Sequence, residues 1–231
     1  MKSYHDMGGD PAGRVTPDKP GDPIFDQPWH KRVLGLTVAG GAMGKWSIDT
    51  SRFWRETLPK SDYQSFTYYE KWLAALTNLF VANGFISRDE IANGAYDSPQ
   101  QPLYKKALKA SEVQQMLATG SKASRPATAL PTFSLGQIVQ TKQPSDTMLQ
   151  KPGHTRLPHY AAGKTGTILF YHGHHVLPNS NAHFLGEHPE PLYSVEFSSI
   201  ELWPHRGGRG DSVIVDCWES CLLYTSDAAD E

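Results

Sequence analysis

The hydrophobic period of the chain changes near its middle. From about residue 30 to 119 apolar positions recur every three to four residues, while beyond residue 133 they alternate with polar ones in short runs. His30 to Gly41 holds Val33, Leu34, Leu36, Thr37 and Val38, which predicts a short apolar helix stopped by Gly40 and Gly41. Ser47 caps a second helix that runs through Arg52 and Trp54 and closes before Pro59. Thr67 and Glu70 have capping-box spacing, with hydroxyl and carboxylate each expected to answer an orphan backbone N–H. They open the clearest helix, with Trp72, Leu73, Leu76, Leu79 and Phe80 on one face and Gly84 at the stop. Ser87 and Glu90 form a second box before Asn93-Gly94, and Leu103 to Leu117 keeps helical spacing up to Gly120.

Residues 120–132 are small, polar and aperiodic, the composition of a linker. Strands are predicted next, starting from Phe133 to Val139 and followed by Gly163 to Tyr171, Leu192 to Phe197 and Asp211 to Asp216. Several short strands without a helix suggest a small barrel or roll. Residues 1–30 contain too many Pro and Gly for a long regular element, so they read as an extended arm with Phe25 and Trp29 as anchors. The fold class is therefore α+β. An arm (1–30), a helical domain (31–119), a linker (120–132) and a β domain (133–220) follow one another. The last eleven residues, 221–231, look like a translated sequencing adapter and are expected to stand outside the fold.

Composition narrows the function. The 231 residues carry 22 basic and 24 acidic side chains, which removes the electrostatic case for nucleic acid or an anionic membrane as partner. No apolar run is long enough to span a bilayer and no secretion signal is seen, so the expected place is the cytoplasm. Two cysteines, Cys217 and Cys221, build neither a disulfide framework nor a thiolate metal cage. His172, His174, His175 and His183 cluster, but without carboxylate or thiol at ligand spacing nearer than Glu187; their expected work is to hold a long loop through backbone hydrogen bonds. Arg209-Gly210-Asp211 reads as a chance match to an adhesion tripeptide.

Four residues have more chemistry to offer. Tyr68 and Trp72 are spaced i and i+4, so their rings share a helix face; spacing alone favours core packing for them. Arg52 and Arg156 read first as surface charges, yet a guanidinium can bind paired oxygens with two parallel hydrogen bonds.

These residues lie in a chain that resembles the nitrile hydratase β subunit in seven ordered stretches. They are His5 to Gly9, Pro28 to His30, Thr67 to Trp72, Gly153 to Tyr160, His172 to His183, Pro191 to Phe197 and Asp211 to Glu219. The resemblance implies an SH3-like roll for the β domain and a two-subunit enzyme that adds water to a nitrile to give an amide. It implies that this chain binds no metal, because Co(III) or Fe(III) is held by a partner α subunit through cysteines, two of them oxidised. Arg52 and Arg156 match arginines that bond the oxidised cysteine oxygens. Tyr68 and Trp72, with Tyr69 beside them, match the substrate pocket, and Ile48 falls on its apolar wall; Ser51 departs from relatives with a bulky side chain there. Partners are then the α subunit, wrapped by the arm in an αβ heterodimer that pairs into a heterotetramer, and a small nitrile. Alternatives of similar fold are a thiocyanate hydrolase subunit, a metal-delivering maturation protein and a non-catalytic binding module. The first carries its two halves on separate chains, and the second lacks the β half.

Overall fold

Pro28, rather than His30, starts the first helix in the computed structural model, which describes residues 4–11, 13–96, 108–127, 129–143 and 156–225. Proline suits that first position because its fixed φ is already helical and its missing N–H has no partner to lose there. Helix α1 spans Pro28–Ala42, α2 Ile48–Glu56, α3 Lys60–Ser65, α4 Tyr68–Ala82, α5 Arg88–Asn93 and α6 Ala110–Thr119. The polar α3 shows no period in the sequence; its six residues are too few to display one. Part of the expected helix from Leu103 lies outside the described residues. In the first box the Glu70 carboxylate accepts both the Thr67 amide and the Thr67 hydroxyl, each at 2.7 Å, within the capping box expected there. In the second box the exchange is reciprocal: Glu90 Oε2 accepts from the Ser87 amide and Ser87 Oγ from the Glu90 amide. Helix α4 is central and packs on α1 and α2, burying Val33, Leu58, Ala75, Leu76 and Leu79.

The described chain divides into two units, residues 11–121 with these helices, and residues 4–10 together with 122–225. The β unit is one antiparallel sheet. Its strands are β1 Ser124–Arg125, β2 Ile138–Thr141, β3 Thr165–His175, β4 Glu190–Ser198, β5 Ser212–Trp218 and β6 Leu222–Tyr224. The order is β5-β4-β3-β2-β6, with β1 paired to the far end of β3. No ladder joins β5 to β6 among the described residues, so the sheet is open and a closed barrel is not formed. Two register shifts bend β3 against β4, between Ile168 and Phe170 and between Tyr171 and His174.

The inner face buries Phe133, Val139, Ile168, Tyr193, Val195, Phe197, Val215, Cys217 and Leu222 in one cluster. Gly166 is required where β3 crosses this cluster: a Cβ there would lie 2.7 Å from the Glu196 carbonyl oxygen and from Val195. Three expectations change. The strand-only half contains two short helices, α7 Pro178–Asn181 and α8 Ser199–Leu202. The supposed linker contributes β1, which exists because it pairs with His174 and His175, and Arg125 then reaches Glu187 in a two-pronged ion pair. The fold does not stop at residue 220: Leu222–Tyr224 pair with Val139–Thr141, and Leu222 is buried.

Candidate functional site

Helix α2 is patterned inside out. Asp49 and Thr50 are buried, at 5% and 1% exposure, while Ile48 stands 58% exposed. Ser47 caps the helix by accepting from the Thr50 amide at 3.1 Å, which fixes this register. The Asp49 carboxylate then accepts from Arg52 Nη1 at 3.2 Å. Among the described residues this is the one hydrogen bond of the Arg52 side chain, which is 41% exposed. A buried carboxylate thus holds one prong of the fork, and the remaining donors face away from that bond.

One turn later Arg55 does something the sequence reading missed. Its Nε donates to the Ser51 carbonyl at 3.1 Å, and its guanidinium lies 4.4 Å over the Trp72 ring. Burial pulls its pKa down and Arg52 adds to that, while Tyr68 works in the opposite direction. The available signal was its i+3 spacing from Arg52, which places both cations on one side of α2.

Helix α4 supplies the rings. Tyr68 and Trp72 sit 5.4 Å apart, so the i, i+4 spacing does bring them together. Tyr68 is 64% exposed, which is not the core packing that spacing alone favoured. Tyr69 is a half-buried neighbour: it stacks on the His30 ring at 4.5 Å and also meets Phe25 and Trp72. Phe25 is therefore held within its own unit, while Met7, Val15 and Ile24 are exposed apolar side chains of the arm.

Ile48, Arg52, Tyr68, Tyr69 and Trp72 all belong to the helical unit; Arg156 belongs to the β unit. It is exposed and just precedes the turn His159–Ala161.

Three of the four histidines are not in a loop, while His183 lies in the turn that follows α7. His172 to His175 lie within β3, and their ring nitrogens bond side chains rather than backbone: His174 Nδ1 meets the Tyr171 hydroxyl, and His172 Nε2 meets Ser194 Oγ at 2.7 Å. Ser194 donates to Asp216 Oδ1 at 2.7 Å. Histidine, serine and aspartate are all present, but the serine proton points at the carboxylate, so no base activates the hydroxyl. Among the described residues no three His, Cys, Asp or Glu side chains are grouped to hold a metal. A shallow cleft of about 360 Å³, lined by Glu196, Asp211 and Ser212 among others, includes none of the predicted residues.

Two family models match this chain, and they meet where the fold divides. The first, described as nitrile hydratase beta subunit, N-terminal, covers residues 1–117; the second, nitrile hydratase beta subunit, C-terminal, covers 122–223. The chain is thus a two-part enzyme subunit, with a helical half and a sheet half on one polypeptide. It belongs to the nitrile hydratase β-subunit family. It is 31% identical over 227 residues to the cobalt-containing nitrile hydratase subunit beta of Pseudonocardia thermophila, covering 95% of this chain and 94% of that one. It is 29% identical to the low-molecular weight cobalt-containing subunit beta of Rhodococcus rhodochrous, covering 96% and 99%. With the subunit beta of Pseudomonas putida the identity is 30%, over 96% and 99%. A solved thiocyanate hydrolase from Thiobacillus thioparus aligns with 52% of this chain and all of its own, at 22% identity and a TM-score of 0.39.

Proposed function

We propose that this chain completes a composite nitrile-hydrating site and works only when joined to an α subunit that holds the metal. The observation that carries the reading is the inverted face of α2, which leaves Ile48 and the Arg52 fork exposed on a helix that packs against the one bearing Tyr68 and Trp72. A cation with free donors on the helix next to the one that exposes Tyr68 suits an interface with an anionic, partly apolar partner surface.

Cobalt or iron in the trivalent state, bound by the partner, would supply Lewis acidity toward the nitrile nitrogen. This chain's own donors fit the surroundings of such a centre rather than the centre itself. The Arg52 and Arg156 guanidinium groups bond the anionic oxygens of oxidised cysteines, which would otherwise be buried charge without a partner. Tyr68 orients water or the nitrile through its hydroxyl. Trp72 and Ile48 enclose the substrate's apolar part, Tyr69 supports the ring pair from beneath, and the small Ser51 leaves room. Arg55 keeps Trp72 in place. We read the curled sheet as an SH3-like roll, and the assembly as an αβ heterodimer that pairs into a heterotetramer. Two free cysteines fit the reducing cytoplasm, and no described helix is long and apolar enough to cross a membrane.

The test is Arg52→Lys and Arg156→Lys, each in the co-expressed αβ pair, because lysine keeps the charge and loses the fork. Amide production should fall about tenfold or more in each, the scale of one lost charge-assisted hydrogen bond. Unchanged turnover in both variants would remove the assigned roles.

A further inference from the structure

The segment His5 to Gly9 takes no part in the reaction proposed above, yet it is bonded to the stretch that carries Arg156. It is folded tightly: the Met7 amide donates to the His5 carbonyl and the Asp10 amide to the Met7 carbonyl, both at 3.1 Å. Asp6 Oδ2 accepts from the backbone N–H of His159 at 2.7 Å, across 153 residues of sequence. The two glycines let the backbone lie flat on aromatic rings. A Cβ on Gly8 would stand 2.7 Å from the Tyr160 ring. Gly9, at φ +74°, would put one 3.0 Å from Trp203. Those two rings are themselves stacked, 5.4 Å apart and 28° from parallel.

Residues 157–160 are consequently held at four successive points. Leu157 packs on the sheet's core, Pro158 has a preset φ, the His159 amide is bonded to Asp6, and Tyr160 lies between Trp203 and the Gly8 backbone. Burial raises the Tyr160 hydroxyl's pKa and the Asp6 charge adds to it, as expected for groups this close. Arg156 is the next residue back along the chain, and its side chain is exposed. A guanidinium that must meet two fixed oxygens gains from a backbone that cannot drift, since a displacement near 1 Å is costly in catalysis.

We propose that Asp6 is a positioning residue for Arg156, fixing the loop from which that guanidinium projects, with Gly8 and Gly9 giving the segment its seat. The inference rests on the role assigned to Arg156 above. It predicts that a residue near the start of the chain controls turnover without touching the substrate.

The experiment uses the αβ complex with Asp6→Ala, Asp6→Asn, Arg156→Lys and the Asp6→Ala/Arg156→Lys double variant. Hydrogen exchange of residues 156–162 is measured alongside kcat and KM. In Asp6→Ala, exchange should rise about tenfold and kcat should fall about tenfold, with KM changed less than about twofold. Asp6→Asn keeps an oxygen acceptor and should restore both. The double variant should be no slower than Arg156→Lys, because a misplaced lysine has little left to lose. Should Asp6→Ala fail to assemble, Asp6→Ser, with too short a reach, takes its place with the same expectation. Unchanged exchange in Asp6→Ala overturns the inference, as do unchanged kcat beside a disabled Arg156→Lys, or losses that simply multiply in the double variant. Full turnover by Arg156→Lys overturns instead the reading on which it rests.

Discussion

The core of the β unit and the α2–α4 face of the helical unit treat their aromatic residues in opposite ways. In the β unit Tyr193 and Phe197 are 0% exposed, and the Tyr193 hydroxyl is bonded to Glu219 at 2.6 Å. In the helical unit Tyr68 stands mostly in the open, Trp72 is capped by a cation, and α2 faces its isoleucine outward. In the sheet's core the rings go inside and the tyrosine hydroxyl is satisfied, although Phe170, Phe184 and Tyr224 of the same unit stand exposed. The face formed by α2 and α4 does not follow that pattern, and a local breach of patterning without a compensating gain in stability is a place to look for a binding face.

Three perturbations separate the units. The largest is Phe197→Ala, which empties the centre of the sheet and should cost about 3–5 kcal/mol in chemical denaturation. Hydrogen exchange in the same variant should accelerate over β2 to β6 and leave α1, α2 and α4 protected; equal acceleration in both units would erase the distinction drawn here. Next comes thiol chemistry. Burial pushes the Cys221 thiol up to about 11, and raises that of Cys217 as well. A thiol-specific dye at pH 8 should therefore label the folded chain about two orders of magnitude more slowly than a free cysteine. The sign for stability follows. The unfolded chain gives up these protons near pH 8.5 and the folded chain does so later, so this part of the sheet's stability is complete below about pH 8.5 and drains away toward pH 11. Rapid labelling at pH 8 would show that the sheet opens more readily than its packing implies. The smallest effect is Tyr68→Phe. With the ring exposed, unfolding free energy should move by less than about 0.5 kcal/mol while amide formation by the αβ pair declines. A stability loss as large as that of a core ring would mean that Tyr68 is packing after all.

What could be read from the sequence was whatever depends on near neighbours. The Thr67 and Ser87 boxes located α4 and α5, and the i, i+4 spacing of Tyr68 and Trp72 put their rings together. Alternation marked β4 and β5 to within a few residues. Features created by distant pairing were hidden. Two residues, Ser124 and Arg125, have no period of their own and become a strand only beside His174 and His175. Leu222–Tyr224 looked foreign in composition, yet the open edge of β2 accepts backbone whatever the side chains are, and Leu222 fills a place in the core. At the site, Arg52 was visible as a fork but not as one steered by buried Asp49, since an aspartate beside a helix cap is ordinarily at the surface. Arg55 was overlooked because its ring partner sits on another helix.

The bond from Asp6 to His159 also sets an order of events in biosynthesis. At roughly 5–20 residues per second a ribosome needs about eight to thirty seconds to deliver His159 after Asp6. Throughout that interval the helices can form in sequence as they emerge, while the leading segment has nowhere to lie. Residues 5–9 are thus made before the helices yet find their place after them, once the β half has been delivered.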